Sequence, residues 1–386
     1  MNFLKSALTR ETSGQKLIPQ IDGLRFVAIV SVVAFHVNGF VASKSSFYQA
    51  ADYESDWLCR FMAEGHMGVQ LFFVISGFIL GLPFAKHYLA SGPAISMKRY
   101  FVRRLVRLEP PYLIAMTLIF IALIVSKGLQ NLSLLPNYIA SMFYVHYFFY
   151  GQGSRIIAAA WSLEIEVQFY LLAPLLGHVF RISSTRLRRT VLVLSILICG
   201  LSQLAVTYPT DSPMHGWTIL SSFHWFFTGL LLTDLYVSGN LSTSEKPIVW
   251  DVFGIFAAIL SWCIVYSRFH IHLFLPFLIL CSYAAAFKGR YIKAALSIPA
   301  IYILGGMCYT IYLYHSLIKA LVGRFSIKMQ LGFSAGTESV AQFLVISIFI
   351  VLICSILFVI TEKPFMSRNV FQKVLSFLDR SEKTKT

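Results

Sequence analysis

The sequence predicts an all-α, polytopic bundle of transmembrane helices, with about ten spans and both termini in the cytoplasm. Of its 386 residues, 57% are apolar and only 13% are charged, and the mean hydropathy is +0.70. A soluble domain carries about 25% charged residues, so this chain has too little polar surface to coat a water-soluble body. The same composition argues against a disordered chain, a coiled coil and a disulfide-rich secreted domain.

Each predicted span is a mostly apolar stretch close to the ~20 residues that a helix needs to cross a bilayer. These stretches begin near Ile21, Met67, Pro110, Trp161, Thr190, Trp217, Ile248, Ile271, Pro299 and Val340. Residues 134–150 are aromatic but polar-interrupted, and we interpret them as an interfacial or re-entrant segment rather than as a full span. We therefore predict one transmembrane domain over residues 21–365, flanked by cytoplasmic segments at residues 1–20 and 366–386.

Lysine and arginine are distributed unequally between alternate loops, which orients the chain in the membrane. About 23 of these cations fall in one set of loops and about seven in the other. The richer set is predicted to be cytoplasmic, which places both termini inside and requires an even number of spans. Orientation and an anionic ligand explain the net charge of +15, so nucleic acid is not expected as a partner. The first twenty residues contain no apolar core segment, so a cleavable signal peptide is not expected.

Ionisable residues inside the first span are candidates for function because burying them in a bilayer is costly. Arg25 and His36 are eleven residues apart, which places them on one face of a helix and about 16 Å apart along its axis. Arg25 is predicted near the inner interface and His36 in the outer half of the membrane. From spacing alone, a packed histidine and an arginine that reaches the inner headgroups explain the pair equally well.

The fourth span begins with Trp161 and carries two acids, Glu164 and Glu166. Depth counting places Glu166 about 8 Å below the outer boundary, near the depth of His36. Two residues correspond to about 200° around a helix, so the two acids cannot face one site. We expect one acid in a polar cavity and the other at the interface, and two interfacial acids are the alternative.

Two further spans contain polar groups, and the loop between the second and third spans is rich in arginine. Tyr309, Tyr312 and His315 recur every three residues and form a polar stripe on the ninth span. Ser76, followed by Gly77, permits close helix packing, and a lone serine is weak evidence for a nucleophile. The remaining pair, Arg104 and Arg107, shares one helix face and could bind phosphate, although orientation signalling also explains it.

The cysteines do not indicate a metal or a disulfide framework. All six are scattered along the chain, most of them within apolar stretches, and no CxxC pair occurs.

His224 lies in merely aromatic surroundings, and we interpret it as a core histidine. The sequence does not indicate an oligomeric state.

Several motifs, taken in order along the chain, resemble acyltransferase family 3, the integral-membrane O-acyltransferases of bacterial glycans. They are Asp22-Gly23-Leu24-Arg25 with His36, Phe72 to Phe78 with Ser76, Arg103-Arg104 with Arg107 and Pro110, Trp161 to Tyr170, Tyr309 to His315, and Glu362-Lys363-Pro364-Phe365. The resemblance implies that His36 is the catalytic histidine, that Glu166 is its acidic partner, and that Arg104 and Arg107 handle the acyl donor. The chain departs from the family pattern in carrying the acids Glu109 and Glu164.

The resemblance implies transfer of an acyl group, with acetyl preferred, from acyl-CoA at the cytoplasmic side to a hydroxyl of a glycan or similar acceptor outside. Arg25 and Arg103 join Arg104 and Arg107 as expected donor ligands. The expected supporting residues are Asp22, Ser76, Trp161, Tyr309, Tyr312 and His315. No tightly bound cofactor and no metal are expected, and the implied location is the bacterial cytoplasmic membrane. A polytopic transporter or lipid-linked sugar flippase is the alternative, for which charges along the whole path and inverted repeats are typical.

Overall fold

A computed structural model describes residues 2–11, 17–207, 218–241, 246–267, 273–329 and 332–383, and every regular element in these ranges is helical. The α-helices are α1 (Asn2–Leu8), α2 (Pro19–Lys44), α3 (Ala50–Ser55), α4 (Trp57–Ala63), α5 (Gly68–Leu89), α6 (Met97–Lys127), α7 (Leu135–Met142), α8 (His146–Tyr150), α9 (Trp161–Leu176), α10 (Thr185–Thr207), α11 (Ile219–Val237), α12 (Pro247–Ser267), α13 (Leu275–Lys288), α14 (Tyr291–Leu296), α15 (Pro299–Gly306), α16 (Cys308–Ser326), α17 (Ala335–Leu357), α18 (Lys363–Met366) and α19 (Arg368–Lys383). The predicted all-α class is therefore confirmed.

The protein is a multi-pass membrane protein. Within the described residues, six helical stretches are long and apolar enough to cross a bilayer. They are Pro19–Lys44, Trp57–Leu89, Met97–Ser126, Ala158–Arg181, Pro247–Val265 and Ala335–Met366. A seventh crossing results if α15 and α16, which meet at a bend of 74°, form one broken span.

The remaining predicted spans correspond to α10, α11 and α13, which are shorter or less apolar than these six. Two of the predicted starting points, Trp217 and Ile271, lie outside the described residues. The count of about ten spans and the cytoplasmic termini therefore stay predictions.

The lipid-facing surface is visible as apolar side chains that remain exposed on the bundle. On α17, Leu344, Ile348, Leu352 and Ile356 recur every four residues and are 57–62% exposed. Gln342, on the same helix, is buried and donates a hydrogen bond to the Ser326 carbonyl. This polarity is the reverse of that in a soluble helix, and it is expected where hydrocarbon rather than water surrounds the protein.

The close crossing of α5 and α11 shows why small residues occur within these spans. A Cβ added to Gly77 would collide with the Phe226 carbonyl, and one added to Gly229 would collide with the Val74 carbonyl. The two backbones can approach this closely only because neither glycine has a side chain. The predicted packing role of the Ser76–Gly77 pair therefore belongs to Gly77.

The break between α15 and α16 brings a helix start into the interior of the bundle. Gly305, at the end of α15, packs directly on the backbone of Asp22 in α2. The Glu362 carboxylate caps the first turn of α16. Its Oε2 accepts hydrogen bonds from the Thr310 amide at 3.1 Å and from the Thr310 hydroxyl at 2.5 Å. A non-helical backbone at membrane depth is tolerated where protein groups satisfy it in this way.

The segment at residues 134–150 contains the short helices α7 and α8. With eight and five residues they extend only about 12 Å and 8 Å, so neither crosses a bilayer by itself. His146 Nε2 lies 2.9 Å from Asn137 Oδ1 and joins the two helices.

Candidate functional site

A cavity of about 240 Å³ lies where α5, α6, α9 and α16 approach one another. Phe365 of α18 and Phe371 of α19 line it as well. Among the described residues, its charged lining consists of five arginines and one acid, and these are Arg10, Arg25, Arg103, Arg104, Arg107 and Glu166. Such a wall, with several partly buried guanidinium groups around a small volume, favours a ligand with several negative charges.

Glu166 is held in the cavity wall by two hydroxyl groups. Ser76 Oγ, from α5, donates to Glu166 Oε1 at 2.8 Å, and Tyr170 Oη donates to the same oxygen at 2.5 Å. Oε2 accepts no hydrogen bond from the described residues, so one carboxylate oxygen is anchored and the other is available. Tyr170 is one helical turn after Glu166 on α9, which is the spacing at which side chains of a helix meet.

Asp22 organises the two arginines on the α2 side of the cavity. Its carboxylate is fully buried, with Oδ1 accepting from Arg25 at 2.7 Å and Oδ2 accepting from Arg10 Nε at 2.8 Å. A buried charge of this kind needs partners, and each oxygen has one arginine. Burial lowers the pKa of Arg10 to about 9, so its guanidinium remains charged at neutral pH.

The arginines of α6 line the opposite part of the cavity. Arg104 lies 3.7 Å above the Tyr100 ring and donates to the Tyr100 carbonyl at 3.1 Å. Arg103 lies 5.3 Å from the centre of the Phe371 ring. Arg107 forms no hydrogen bond or ion pair with the described residues. All three predicted donor ligands of α6 thus line one cavity with Arg25.

Tyrosines of α16 line the cavity beside α9. The Tyr309 hydroxyl donates to the Leu108 carbonyl at 3.0 Å. The Tyr312 hydroxyl lies 2.8 Å from the Ala159 carbonyl and 2.6 Å from Ser162 Oγ. Two residues of the predicted polar stripe, Tyr309 and Tyr312, are therefore held in the wall by hydrogen bonds to α6, α9 and the turn before α9, whereas His315 does not line the cavity.

His36, which depth counting places near the depth of Glu166, does not line this cavity. Its ring lies edge-on to that of His315 at 4.9 Å, and His315 lies 6.0 Å from Tyr312, which does line the cavity. Ring contacts through two side chains of α16 therefore connect His36 to the cavity wall. Depth counting places a residue along the membrane normal, but it does not determine its lateral position.

Both histidines of this pair bond to backbone carbonyls through Nδ1. His36 Nδ1 lies 3.0 Å from the Val32 carbonyl, and His315 Nδ1 lies 2.8 Å from the Tyr312 carbonyl. A neutral imidazole that donates through Nδ1 has an unprotonated Nε2, so these bonds assign Nε2 as the basic nitrogen of His36. Lys319 Nζ donates to the His36 carbonyl at 3.2 Å.

Glu164 lies away from the cavity, as the helical spacing predicted, but it is buried rather than interfacial. Its Oε2 accepts from the Tyr147 amide of α8 at 3.0 Å. Trp161 begins α9 and does not line the cavity. His224 is buried on α11, as predicted for a core histidine.

Sequence inspection missed Arg10, Ser162 and Tyr170 among the cavity residues. Tyr170 could have been found from its four-residue spacing to Glu166, while Arg10 lies before the first span and carries no such signal. Within the described residues, no group of His, Cys, Asp or Glu side chains could hold a metal ion.

Comparison with known proteins gives the site its family context. The O-acetyltransferase OatA of Staphylococcus aureus (strain NCTC 8325 / PS 47) is 24% identical over 343 residues, which cover 82% of this chain and 53% of the relative. OatA of S. aureus (strain COL) matches with the same identity and coverage. The chain thus spans about half the length of the curated relatives it matches. No solved structure matches it.

A family model described as an acyltransferase domain matches residues 18–359, which is most of the chain. The match includes Asp22, Arg25, His36 and Glu166. It agrees with the resemblance carried by the ordered motifs and rests on far more residues than they do. The protein is therefore a member of acyltransferase family 3.

Proposed function

We propose that this protein is a membrane O-acyltransferase that takes an acyl group, preferably acetyl, from acyl-CoA and transfers it to a hydroxyl of a glycan or similar acceptor. The observation that carries this proposal is the cavity lined by five arginines and by Glu166. The phosphates of CoA are a polyanion, and arginine binds phosphate by planar, bidentate hydrogen bonds. Membership in the acyltransferase family and similarity to O-acetyltransferases support the reaction class.

The donor is proposed to bind with its phosphates among Arg25, Arg103, Arg104 and Arg107. The pantetheine arm then extends from these arginines toward the depth of His36, about 16 Å from Arg25 along α2. Tyr309 and Tyr312, which line the cavity, lie along this direction and contact the arm. No tightly bound cofactor is needed, because the acyl group arrives on a thioester.

His36 is proposed as the base or as the first acyl acceptor. In direct transfer, Nε2 takes the proton of the acceptor hydroxyl while the oxygen attacks the thioester carbonyl. The carbon–sulfur bond then breaks, and the CoA thiolate receives the proton from the imidazolium. The Val32 carbonyl orients the ring, so a carboxylate in direct contact with His36 is not required.

Glu166 is proposed to act from the cavity side, and the ring contacts of Tyr312 and His315 connect this cavity to His36. Its anchored Oε1 and available Oε2 make it a fixed negative charge beside the donor arginines. The charge can stabilise positive charge that develops on the histidine side during proton transfer.

The test is an acyl-transfer assay with the purified protein in lipid nanodiscs and radiolabelled acetyl-CoA. We expect acetyl-CoA to bind and its acetyl group to reach a glycan acceptor or, slowly, water. Mass spectrometry of glycans from a deletion strain and its parent then identifies the acceptor. A transporter or lipid-linked sugar flippase would move its substrate without consuming acetyl-CoA, so absence of binding and of turnover would overturn the proposal.

We further propose ten spans, with both termini cytoplasmic, in the bacterial cytoplasmic membrane. Single cysteines introduced into a cysteine-free variant by Arg99→Cys and Glu54→Cys report on opposite sides, since both positions are exposed. A membrane-impermeant maleimide should label the Glu54→Cys variant in intact cells and the Arg99→Cys variant only in inverted vesicles. Labelling of Arg99→Cys in intact cells would contradict both the topology and a cytoplasmic donor site.

A further inference from the structure

The stretch before the first span contributes a charged residue to the cavity. Arg10 lies between α1 and α2, outside every membrane-capable helix, yet it lines the cavity and its side chain is only 8% exposed. Its side chain packs on Gly306 at the break between α15 and α16, with carbon atoms 3.5–3.7 Å from the position of an added Cβ. The N-terminal segment therefore forms part of the cavity wall.

Arg10 has N–H donors that no described residue accepts. It binds Asp22 through Nε alone, at 2.8 Å, and its two terminal nitrogens form no hydrogen bond with the described residues. Asp22 uses its other carboxylate oxygen for Arg25. One buried carboxylate thus holds two guanidinium groups side by side on the cavity wall, and most of their donors meet no acceptor among the described residues.

Lys363 attaches the N-terminal segment to the bundle. Its Nζ donates to the carbonyls of Ser6 at 2.5 Å and Ala7 at 2.6 Å, in the last turn of α1. The last carbonyls of a helix lack partners within the helix, and a cation there is favoured by the helix dipole. The preceding residue, Glu362, caps α16, and Phe365 lines the cavity. The short motif that contains these residues therefore links α1, α16 and the cavity.

We propose that Arg10 is a further ligand for the phosphate groups of the acyl donor, and that Asp22 and Lys363 are positioning residues for it. This inference rests on the proposed function, because it assumes a phosphate-bearing donor in the cavity. Asp22 fixes the guanidinium, and Lys363 fixes the helix from which the Arg10 backbone continues. The N-terminal segment is thereby part of the donor site rather than a surface appendage.

The experiment measures CoA affinity and steady-state kinetics of the purified full-length protein. Arg10→Ala should raise Kd for CoA by about 10–100-fold, the range for a lost charge-assisted hydrogen bond, while kcat at saturating donor changes less than about threefold. Arg10→Lys should recover part of the affinity, since an ammonium keeps the charge but not the planar geometry. Lys5→Met is the matched control, because it removes an exposed cation from α1 and should leave Kd unchanged.

The positioning role has a separate readout. Lys363→Met should raise Kd for CoA, and Lys363→Arg should restore it. In the Arg10→Ala background, Lys363→Met should add less than about twofold, because residues that act through one contact are not additive. Equal effects of Lys363→Met with and without Arg10 would assign Lys363 to general stability and overturn its positioning role.

Three probes show which phosphate group Arg10 binds, and they separate a failure of this inference from a failure of the proposed function. CoA, 3′-dephospho-CoA and inorganic pyrophosphate are titrated against the wild type, Arg10→Ala and Arg104→Ala. Loss of the Arg10 effect with dephospho-CoA assigns Arg10 to the 3′-phosphate, and its persistence with pyrophosphate assigns it to the diphosphate. If Arg104→Ala weakens CoA binding and Arg10→Ala and Arg10→Lys do not, this inference is wrong and the donor site stands. If the wild type binds none of the three probes, the proposed function itself fails.

Discussion

Ser76 donates a 2.8 Å hydrogen bond to Glu166 and so joins the second and fourth predicted spans at the cavity. The two residues are 90 positions apart in the chain. Ser76 lies beside Gly77, whose contact with α11 fixes this part of α5. A small-residue pair therefore has two separate roles, in which the glycine sets the distance between helices and the serine holds the carboxylate.

Replacing Ser76 by alanine leaves Tyr170 as the remaining hydroxyl donor to Glu166. A hydrogen bond to a charged group contributes about 1.5–3 kcal/mol, so we expect kcat to fall by about tenfold or more. Ser355→Ala is the control, because among the described residues the Ser355 hydroxyl bonds only to the Val351 carbonyl of its own helix. Wild-type kcat in Ser76→Ala would show that the orientation of Glu166 is not important for turnover.

The two acids of α9 should respond differently to conversion into glutamine. Glu166→Gln keeps an acceptor for Ser76 and Tyr170 but removes the charge, so kcat should fall by about 10–100-fold. The affinity for CoA should be unchanged or higher, since the cavity loses its one lining carboxylate within the described residues. Glu164→Gln keeps an acceptor for the Tyr147 amide and should leave transfer nearly unchanged. Loss of transfer in Glu164→Gln alone would reverse the assignment.

His36→Ala should separate chemistry from donor binding. Loss of a general base typically costs about 10²–10⁴ in rate, so transfer should nearly vanish. Because His36 lies outside the cavity lining, Kd for CoA should remain that of the wild type. Thermal stability measured in the same nanodiscs shows whether the variant is folded. A folded His36→Ala protein with wild-type turnover would exclude His36 as base or acyl acceptor.

Arg104 and Arg107 should both raise the affinity for the donor, but lysine should replace them to different extents. Arg104→Ala or Arg107→Ala should weaken acyl-CoA binding by about 1.5–3 kcal/mol. Lysine should rescue partly at both positions, and less at Arg104, where stacking on Tyr100 is also lost. Arg99→Ala, an exposed cation of the same helix, is the control. Unchanged affinity in the Arg104→Ala/Arg107→Ala double variant would assign both residues to membrane orientation.

Gly77→Ala should destabilise the bundle at the α5–α11 crossing. The added methyl group collides with the Phe226 carbonyl, and overpacking of this kind costs about 1–3 kcal/mol. Gly39→Ala on α2 is the control, because an added Cβ there meets nothing within 4 Å and should be neutral or slightly stabilising. The melting temperatures of the two variants in nanodiscs give the comparison, and equal values would contradict a tight crossing.

Composition and periodicity alone were sufficient to predict an all-α membrane protein and to locate most of its apolar helices. Length and polarity of an apolar stretch are local properties, and a bilayer imposes a single minimum length on every span. Helix geometry likewise indicated that Glu164 and Glu166 point to different sides of α9, because packing does not change the 200° between them. The family motifs, read in order, identified the membership that the family comparison confirmed.

Only the tertiary structure determined which of these residues meet. Helical spacing and depth define a position along one helix, but the lateral arrangement of helices depends on backbone contacts such as Gly77 with Phe226 and Gly305 with Asp22. In the resulting arrangement Ser76 bonds to Glu166, the rings of His315 and Tyr312 connect His36 to the cavity wall, and Arg10 pairs with Asp22. Close packing of non-local segments is decided by the whole bundle at once, and no single stretch of sequence encodes it.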